Sequence, residues 1–376
     1  MLDNTDPNDL IIETARRYAQ ERLAPTAADR EKAGVIEPEI IRELSEMGFL
    51  GATNSAEWGG SEIPYETYAQ VIEEIAAGDG SVSTLVSVHN APTCEILEKF
   101  GTREQKERWL KPLAGGGSVA SFALTEASAG SDAASVRTRA TRTNSGYSIN
   151  GSKQFISNAR IGQTTVLFAV TDPDAGKKGI SAFIVANDTP GFSVSRVEHK
   201  LGQKASDSCA LSFDDMQVPD DQRIGAEGEG LKIALSTLES GRIGIAAQSI
   251  GMARAALEYA IGYAKERRQF GKPIIEHQAV GFRLVDAKMK LAAAHELLMK
   301  AARLKDAGKP ALEAAAMAKL FASEIAEEVC SAAIQTLGGY GYLADYPVER
   351  IYRDVRVCQI YEGTSDVQRI ILQRML

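Results

Sequence analysis

The stretch from Ile360 to Arg369, IYEGTSDVQR, sets a single carboxylate, Glu362, between a tyrosine and a glycine just ahead of a helix start. Ser365 followed three residues later by Gln368 has the form of a capping box, and Val367, Ile370 and Ile371 open an apolar stripe. An acid in that place can simply complement the helix dipole. It can also act as a general base, provided that a dry surrounding raises its proton affinity. Taken alone, the stretch favours the dipole reading.

Three further stretches carry chemistry-bearing residue types. FALTEASAGSDA, Phe122 to Ala133, leaves a predicted strand for a loop of small residues. Its backbone N–H groups and hydroxyls suit a ligand with many acceptors, or an ordinary connection. KERRQFGKPI, Lys265 to Ile274, gathers four cations at the end of a long helix. Arginines there can hold phosphate, or can complement the helix dipole. QTLGGYGYL, Gln335 to Leu343, is a helix C-cap or a close backbone approach to a ligand. No G-x-G-x-x-G is present, and GAEGEG at Gly225–Gly230 has the wrong spacing. A dinucleotide, if bound, is therefore not held by the usual strand–helix phosphate turn.

The elements that position these stretches fall into three zones. Up to about Leu113 the pattern is helical. Ile11, Ala15, Tyr18 and Leu23 form one stripe, and Ile40, Ile41, Leu44 and Met47 form another that Gly48 stops. The spacing also predicts helices over 66–77, 82–100 and 102–110, with a loop at 54–64. From 118 to 219 the period changes to short strands, with Asn144-Ser145-Gly146 and Asn150-Gly151 as tight turns. From about Gly228 long helices return, over 231–265, 276–307 and 310–337. Small residues in the first of these, Gly241, Gly244 and Gly251 among them, allow close packing.

The fold class is thus α+β and multidomain: an N-terminal all-α domain (1–113), a middle antiparallel β-barrel or sandwich domain (114–222), and a C-terminal helical bundle domain (223–376). There is no βαβ alternation, which argues against a doubly wound nucleotide fold.

A net charge of −8 argues against nucleic acid as a partner. Cys94, Cys209, Cys330 and Cys358 are too scattered for a disulfide framework or a zinc site, which suits a reducing, cytoplasmic compartment. His89, His199, His277 and His295 never recur at helical ligand spacing, so no metal is expected. The polar start MLDNTDPNDL shows no targeting segment, and no apolar run is long enough to span a membrane.

The order and separation of the motifs match one family. The chain resembles the acyl-CoA dehydrogenases, flavoproteins that oxidise the α,β bond of acyl-CoA thioesters. The resemblance rests on LTEASAGSDA, RRQFGK and YEGTSDVQR, and it covers essentially the whole chain.

It implies FAD as cofactor and Glu362 as the base that removes the α-proton. Some family members place the base just before an arginine in the first long C-terminal helix. Here that residue, in LESGR, is Gly241. The resemblance places flavin contacts on Phe122, Leu124 and Thr125, and on Phe155 and Ser157 in KQFISN. It places further FAD contacts, made across a subunit interface, on Arg267, Gln269 and Phe270 and on Gln335, Gly338 and Gly339. Thr364 and Asp366 match FAD contacts as well. Ser131, Glu239 and Arg242 match the acyl-CoA side, with Tyr361 and Gly363 flanking the base.

The same resemblance implies a homotetramer and an electron-transferring flavoprotein as acceptor. ESGRIGIAAQ looks most like short-chain, butyryl-type members. Residues 77–90 hold no lysine or arginine to meet a second carboxylate, which disfavours glutaryl-CoA. An oxygen-using oxidase and a non-catalytic scaffold are the alternative readings.

Overall fold

The computed structural model describes residues 6–376; the first five residues of the polar N-terminal stretch lie outside the described residues. The N-terminal part is helical: α1 (Pro7–Tyr18), α2 (Ala27–Ala33), α3 (Pro38–Glu46), α4 (Tyr65–Gly78), α5 (Gly80–Val88), α6 (Glu95–Phe100), α7 (Arg103–Gln105) and α8 (Lys111–Ala114). Gly48, at φ +73°, ends the α3 segment as its stripe predicts. Thr102 and Gln105 form a full capping box at α7.

Residues 82–100, expected as one helix, break at Ala91 (φ −132°, ψ 117°). The ring of Pro92 crowds the residue before it and pushes it out of the helical region. Asn90 stitches the break: its side-chain oxygen accepts from the N–H groups of Gly51 and Ala52, and its amide donates to Phe49 and Val86 carbonyls.

The middle part is one sheet of eight strands: β1 (Ala120–Ala123), β2 (Arg139–Thr143), β3 (Gly146–Ser157), β4 (Thr164–Val170), β5 (Ile180–Ala186), β6 (Phe192–Val197), β7 (Ser208–Pro219) and β8 (Arg223–Ile224). The order is β6-β7-β3-β2-β4-β5-β8, with β1 beside β4. Pairing is antiparallel, except that β1 runs parallel to β4 and a single Arg139–Val170 bridge joins β2 to β4 in parallel.

Asn144-Ser145 turns β2 into β3 as expected, but Asn150-Gly151 is not a turn. It lies inside β3, where the register to β7 shifts between Ile149 and Gly151. The extra residue is on β7, at Asp214–Asp215 with Asp215 at φ +45°, and Gly151 (φ +145°) lies opposite it, where a Cβ would sit 2.7 Å from Thr138 Cα. Val166, Phe168 and Ile184 pack against Trp109 and Leu113 of the helical domain, while Tyr147, Leu167, Phe183 and Leu211 form a second apolar layer.

The C-terminal part comprises α9 (Gly230–Glu266), α10 (Gln278–Asp306), α11 (Leu312–Leu337), α12 (Pro347–Val355) and α13 (Ser365–Gln373). A small hairpin, β9 (Arg268–Gln269) and β10 (Lys272–Pro273), separates α9 from α10. The α9 glycines let it lie close on its neighbours. A Cβ on Gly244 would meet Ser87 Oγ at 2.5 Å, and one on Gly251 would meet Glu73 O at 2.0 Å.

Candidate active site

After α12 the chain makes a 3-10 turn, Arg356–Gln359, and then crosses five residues to α13. Two successive residues in that crossing are left-handed: Glu362 at φ +53° and Gly363 at φ +88°. For glutamate this conformation costs of order 1–3 kcal/mol and needs support. The support is visible. Gln368 Nε2 donates to the carbonyls of Glu362 (3.2 Å) and Gly363 (2.8 Å). Lys319 Nζ, reaching in from α11, donates to the Gly363 carbonyl at 2.7 Å.

The N-cap of α13 is Thr364, not Ser365 as the pattern suggested. Its hydroxyl accepts the Val367 N–H at 3.2 Å, and its ψ of 162° is non-helical. Ser365 is already the first helical residue and is buried. Gln368 is thereby released from the capping box to hold the turn.

The Glu362 side chain lies against α9. A Cβ on Gly241 would stand 2.7 Å from Oε2, 3.0 Å from Cδ and 3.3 Å from Oε1. The absent side chain at 241 is therefore the space that the carboxylate occupies. Although the residue as a whole is half-buried, Oε2 is shielded from water and accepts no hydrogen bond. Burial pushes its pKa up to about 7, against the opposing pull of Arg242 and Lys319. The Glu362 N–H meets no acceptor among the described residues.

Two cations flank this acid, and both are buried: Arg242 on α9 and Lys319 on α11. Burial lowers the affinity of each for its proton, bringing Lys319 down to about 8. Neither has a carboxylate within 4 Å among the described residues. Glu239, one turn before Arg242, pairs with Lys305 at 3.6 Å.

Tyr361 turns its hydroxyl into the junction of the three domains. It donates to Gln248 Oε1 of α9 and accepts from Gln203 Nε2 at 3.4 Å. Gln248 Nε2 donates in turn to Thr84 Oγ1 (2.6 Å) and Ser83 Oγ (2.7 Å) of α5, and Thr84 donates to Gln203 Oε1 at 2.6 Å. The hydroxyl is thus committed to this network.

A second group of expected residues gathers on the β domain. Lys153 of β3 is fully buried, and its Nζ donates to the Leu124 carbonyl (2.9 Å) and to Glu126 Oε1 (2.8 Å). Glu126 also accepts the N–H groups of Arg137 and Thr138. The Gln154 N–H bonds the Thr125 carbonyl at 2.9 Å. These bonds fasten the loop after Phe122, which carries Leu124 and Thr125, beside Phe155 and Ser157. Phe155 is 63% exposed at φ +61°, and Ser131 is exposed farther along the loop.

A third group forms a separate cleft of about 500 Å³, lined by Arg267, Gln269, Gly338 and Gly339 and by Tyr263 and Tyr340. Gln335 is exposed on the last turn of α11, and Phe270, at the hairpin tip with φ +51°, is 94% exposed. Gly338 adopts φ +63°, ψ −133°, a conformation essentially reserved for glycine. No hydrogen bond or ion pair among the described residues joins the second or third group to the Glu362 turn. Thr364 adjoins the Glu362 turn, and Asp366 is exposed on the first turn of α13.

These residues fit a flavin dinucleotide. The Arg267 guanidinium forms no ion pair among the described residues and lies 5.8 Å from the Tyr340 ring centre, beside glycine backbone that a diphosphate can approach. Phe155 offers an uncovered ring to a flat partner. No cluster of metal-ligating side chains occurs among the described residues, and no helix there is long and apolar enough to cross a membrane.

Lys319, Gln248 and the Lys153–Glu126 pair escape the sequence reading, and Gln368 enters it only as a capping residue. Lys319 left a signal: it sits on the buried stripe of α11, four residues after Ala315 and three before Ala322. A lysine on an apolar face needs a reason.

Comparison with known proteins gives family-model matches over nearly the whole chain. The acyl-CoA dehydrogenase N-terminal domain matches residues 5–117, the middle domain 121–216 and the C-terminal domain 228–376. A short-chain-specific acyl-CoA dehydrogenase of Megasphaera elsdenii is 42% identical over 371 residues, which is 98% of this chain and 97% of that one. The solved butyryl-CoA dehydrogenase of the same organism superposes with a TM-score of 0.97 at 41% identity, over 100% of this chain and 99% of the other. A chain solved in work on the electron transferring flavoprotein of Acidaminococcus fermentans gives 0.97 at 43% identity, over 100% and 99%. PigA with FAD and proline gives 0.94 at 32%, again over 100% and 99%.

Proposed function

Because the chain belongs to the acyl-CoA dehydrogenase family, we propose that Glu362 removes the α-proton of a short-chain acyl-CoA thioester, on the way to the trans-2-enoyl-CoA. The observation that carries this reading is the Glu362 carboxylate itself. One oxygen is buried without a partner, and the group is held in strained backbone over the gap left by Gly241. With a pKa near 7 it is substantially ionised at neutral pH, yet far more basic than an exposed carboxylate.

FAD, when bound, supplies the acceptor for the β-hydride. The Glu362 N–H is free to donate to the thioester oxygen as negative charge develops there. Gly363 gives the turn its second left-handed step, which keeps that N–H and the carboxylate on one short segment. Arg242, Glu239, Ser131 and Tyr361 serve the acyl-CoA. Phe122, Leu124, Thr125, Phe155 and Ser157 serve the flavin, with Thr364 and Asp366 beside the base.

Arg267, Gln269, Phe270, Gln335, Gly338 and Gly339 act on the cofactor of a neighbouring subunit in a homotetramer. Supporting this are the 94% exposure of Phe270 and the uncovered row of Phe282, Val285 and Met289 on α10. The acceptor is an electron-transferring flavoprotein, in line with the A. fermentans relative. We place domain junctions at 113/114, in the last turn of α8, and at 222/223, where β8 begins. A cytoplasmic setting is supported by four buried cysteines, none of them paired.

Short-chain preference is supported by the named relatives and by the Tyr361–Gln248–Thr84 network, which fills the space between α5 and α9 next to the base. The test is an anaerobic titration of the flavin absorbance with acyl-CoAs of graded length, on wild type and Glu362→Gln. Wild type should bleach most readily with butyryl-CoA. The variant should keep its FAD and not bleach. Full bleaching of Glu362→Gln overturns the assignment of the base, and a preference for glutaryl-CoA overturns the substrate class.

A further inference from the structure

Lys319 is the most costly side chain near the base that the reaction as written does not use. It projects from the first third of α11, its side chain is fully buried, and its hydrogen-bond partner is the Gly363 carbonyl at 2.7 Å. An ammonium stripped of water loses its solvation, and a single carbonyl bond returns only part of that. Filling the same volume needs no charge, because methionine would do it. Two things near Lys319 do respond to a charge. One is the pair of carbonyls in the left-handed turn, which Gln368 holds from the other side. The other is the Glu362 carboxylate, whose buried Oε2 has no donor of its own.

We propose that Lys319 is a positioning residue of the catalytic turn: its ammonium anchors the Gly363 carbonyl and places positive charge behind the Glu362 carboxylate without bonding it. The inference rests on Glu362 being the base. Anchoring fixes the direction of the carboxylate and of the Glu362 N–H, since both hang on the same two left-handed residues. The charge keeps a buried acid ionisable, which burial alone opposes. The ionisable groups around the pair are Arg242 from α9, Cys358 from the turn after α12, and Glu324 one turn along α11. Cys358 is a buried thiol that stays protonated, and Glu324 pairs with Arg369 at 2.7 Å, so neither replaces the lysine. Arg242 reaches the acid from the other helix and supplies a separate contribution.

The experiment is the pH profile of kcat/KM for butyryl-CoA, measured on the FAD-loaded enzyme as wild type, Lys319→Met and Lys319→Gln. The free enzyme's base governs the acid limb of that profile. Glu362 works ionised, so loss of a neighbouring cation raises its pKa and moves the limb to higher pH, by about one unit. Both variants should show the move. Lys319→Gln retains a donor for the Gly363 carbonyl, so its plateau rate should exceed that of Lys319→Met, whose turn is loose, by about tenfold. An unmoved acid limb in both variants overturns the proposal, while Glu362→Gln remaining inactive shows that the base assignment still stands. Failure of both variants to fold or hold FAD assigns Lys319 to the core and overturns it too. Turnover by Glu362→Gln points instead to an error in the reading of the base.

Discussion

Replacing Gly241 with alanine tests the fit between α9 and the Glu362 carboxylate. The added Cβ would lie 2.7 Å from Oε2, where ordinary contact begins at 3.4 Å. The carboxylate must therefore retreat by about 0.7 Å along that line. It is the far end of a flexible side chain, so it can do so without disturbing backbone. The helix itself gains, since alanine is about 1 kcal/mol better than glycine in a helix interior. The damage is to geometry alone. A misplacement of about 1 Å at a reacting group costs up to ~10²-fold in rate, so flavin reduction by saturating butyryl-CoA should slow by about 10- to 100-fold. Anaerobic stopped-flow measures that rate, while FAD content and the melting temperature serve as controls and should be unchanged or slightly raised. A rate within twofold of wild type would mean that the working carboxylate does not rest against α9, and the positional argument would be lost.

Gly251→Ala makes the converse case on the same helix. Its Cβ would meet the Glu73 carbonyl at 2.0 Å, which is backbone and cannot swing away. The variant should lose about 1–3 kcal/mol by overpacking, seen as a lower melting temperature, with the reduction rate of the folded fraction near wild type. Asp354 tests the electrostatics of the junction. Its carboxyl is buried and accepts the Gln203 N–H, and burial pushes its pKa up to about 7. A group raised in the folded state contributes stability that is complete below its unfolded pKa, near 4, and is lost as pH climbs through 7. Asp354→Asn cannot titrate, so its melting temperature should gain on wild type as pH rises from 5 to 8. A constant difference across that range would show that Asp354 stays ionised in the folded protein.

Much of the fold was legible because the hydrophobic period changes twice along the chain. The helices expected over 231–265, 276–307 and 310–337 are observed as Gly230–Glu266, Gln278–Asp306 and Leu312–Leu337. What was misread shares one cause: a residue type that serves two geometries. Asn150-Gly151 has the composition of a turn or of a strand glycine that another backbone approaches closely, and only the pairing of β3 with β7 decides between them. Thr364 and Ser365 are both hydroxyl residues, and the backbone alone selects the cap. Pro92 is a further case: the pattern around it is helical on both sides, and the break falls on the residue before it, Ala91. At the site, Glu362 was legible as a motif, since its neighbours in sequence mark it. Lys319 and Gln248 lie 43 and 114 residues from it along the chain, isolated polar residues in apolar helices. Their proximity to the turn is a product of the bundle, and no local pattern encodes it.

On the proposed role of Glu362 as the base, the placement of that turn meets two opposed demands on one side chain. A carboxylate in water is too weak a base to take a proton from carbon, so it must be dry. A dry carboxylate tends to pick up a proton of its own, and then it is no base at all. A hydrogen bond to Oε2 would resolve the second difficulty at the expense of the first, because it would lower the proton affinity and cover the lone pair that must meet the substrate. Arg242 and Lys319 offset part of the effect of burial through the field rather than through a bond, which leaves the Oε2 lone pair uncovered. Such an arrangement is unstable in isolation, with two buried cations, a buried acid and a left-handed glutamate within one small volume. It persists only where the surroundings over-determine it. The meeting point of the three domains is such a place: α9 presses on the acid, α11 supplies the lysine, and Tyr361 ties the turn to α5 and to Gln203 beyond β6.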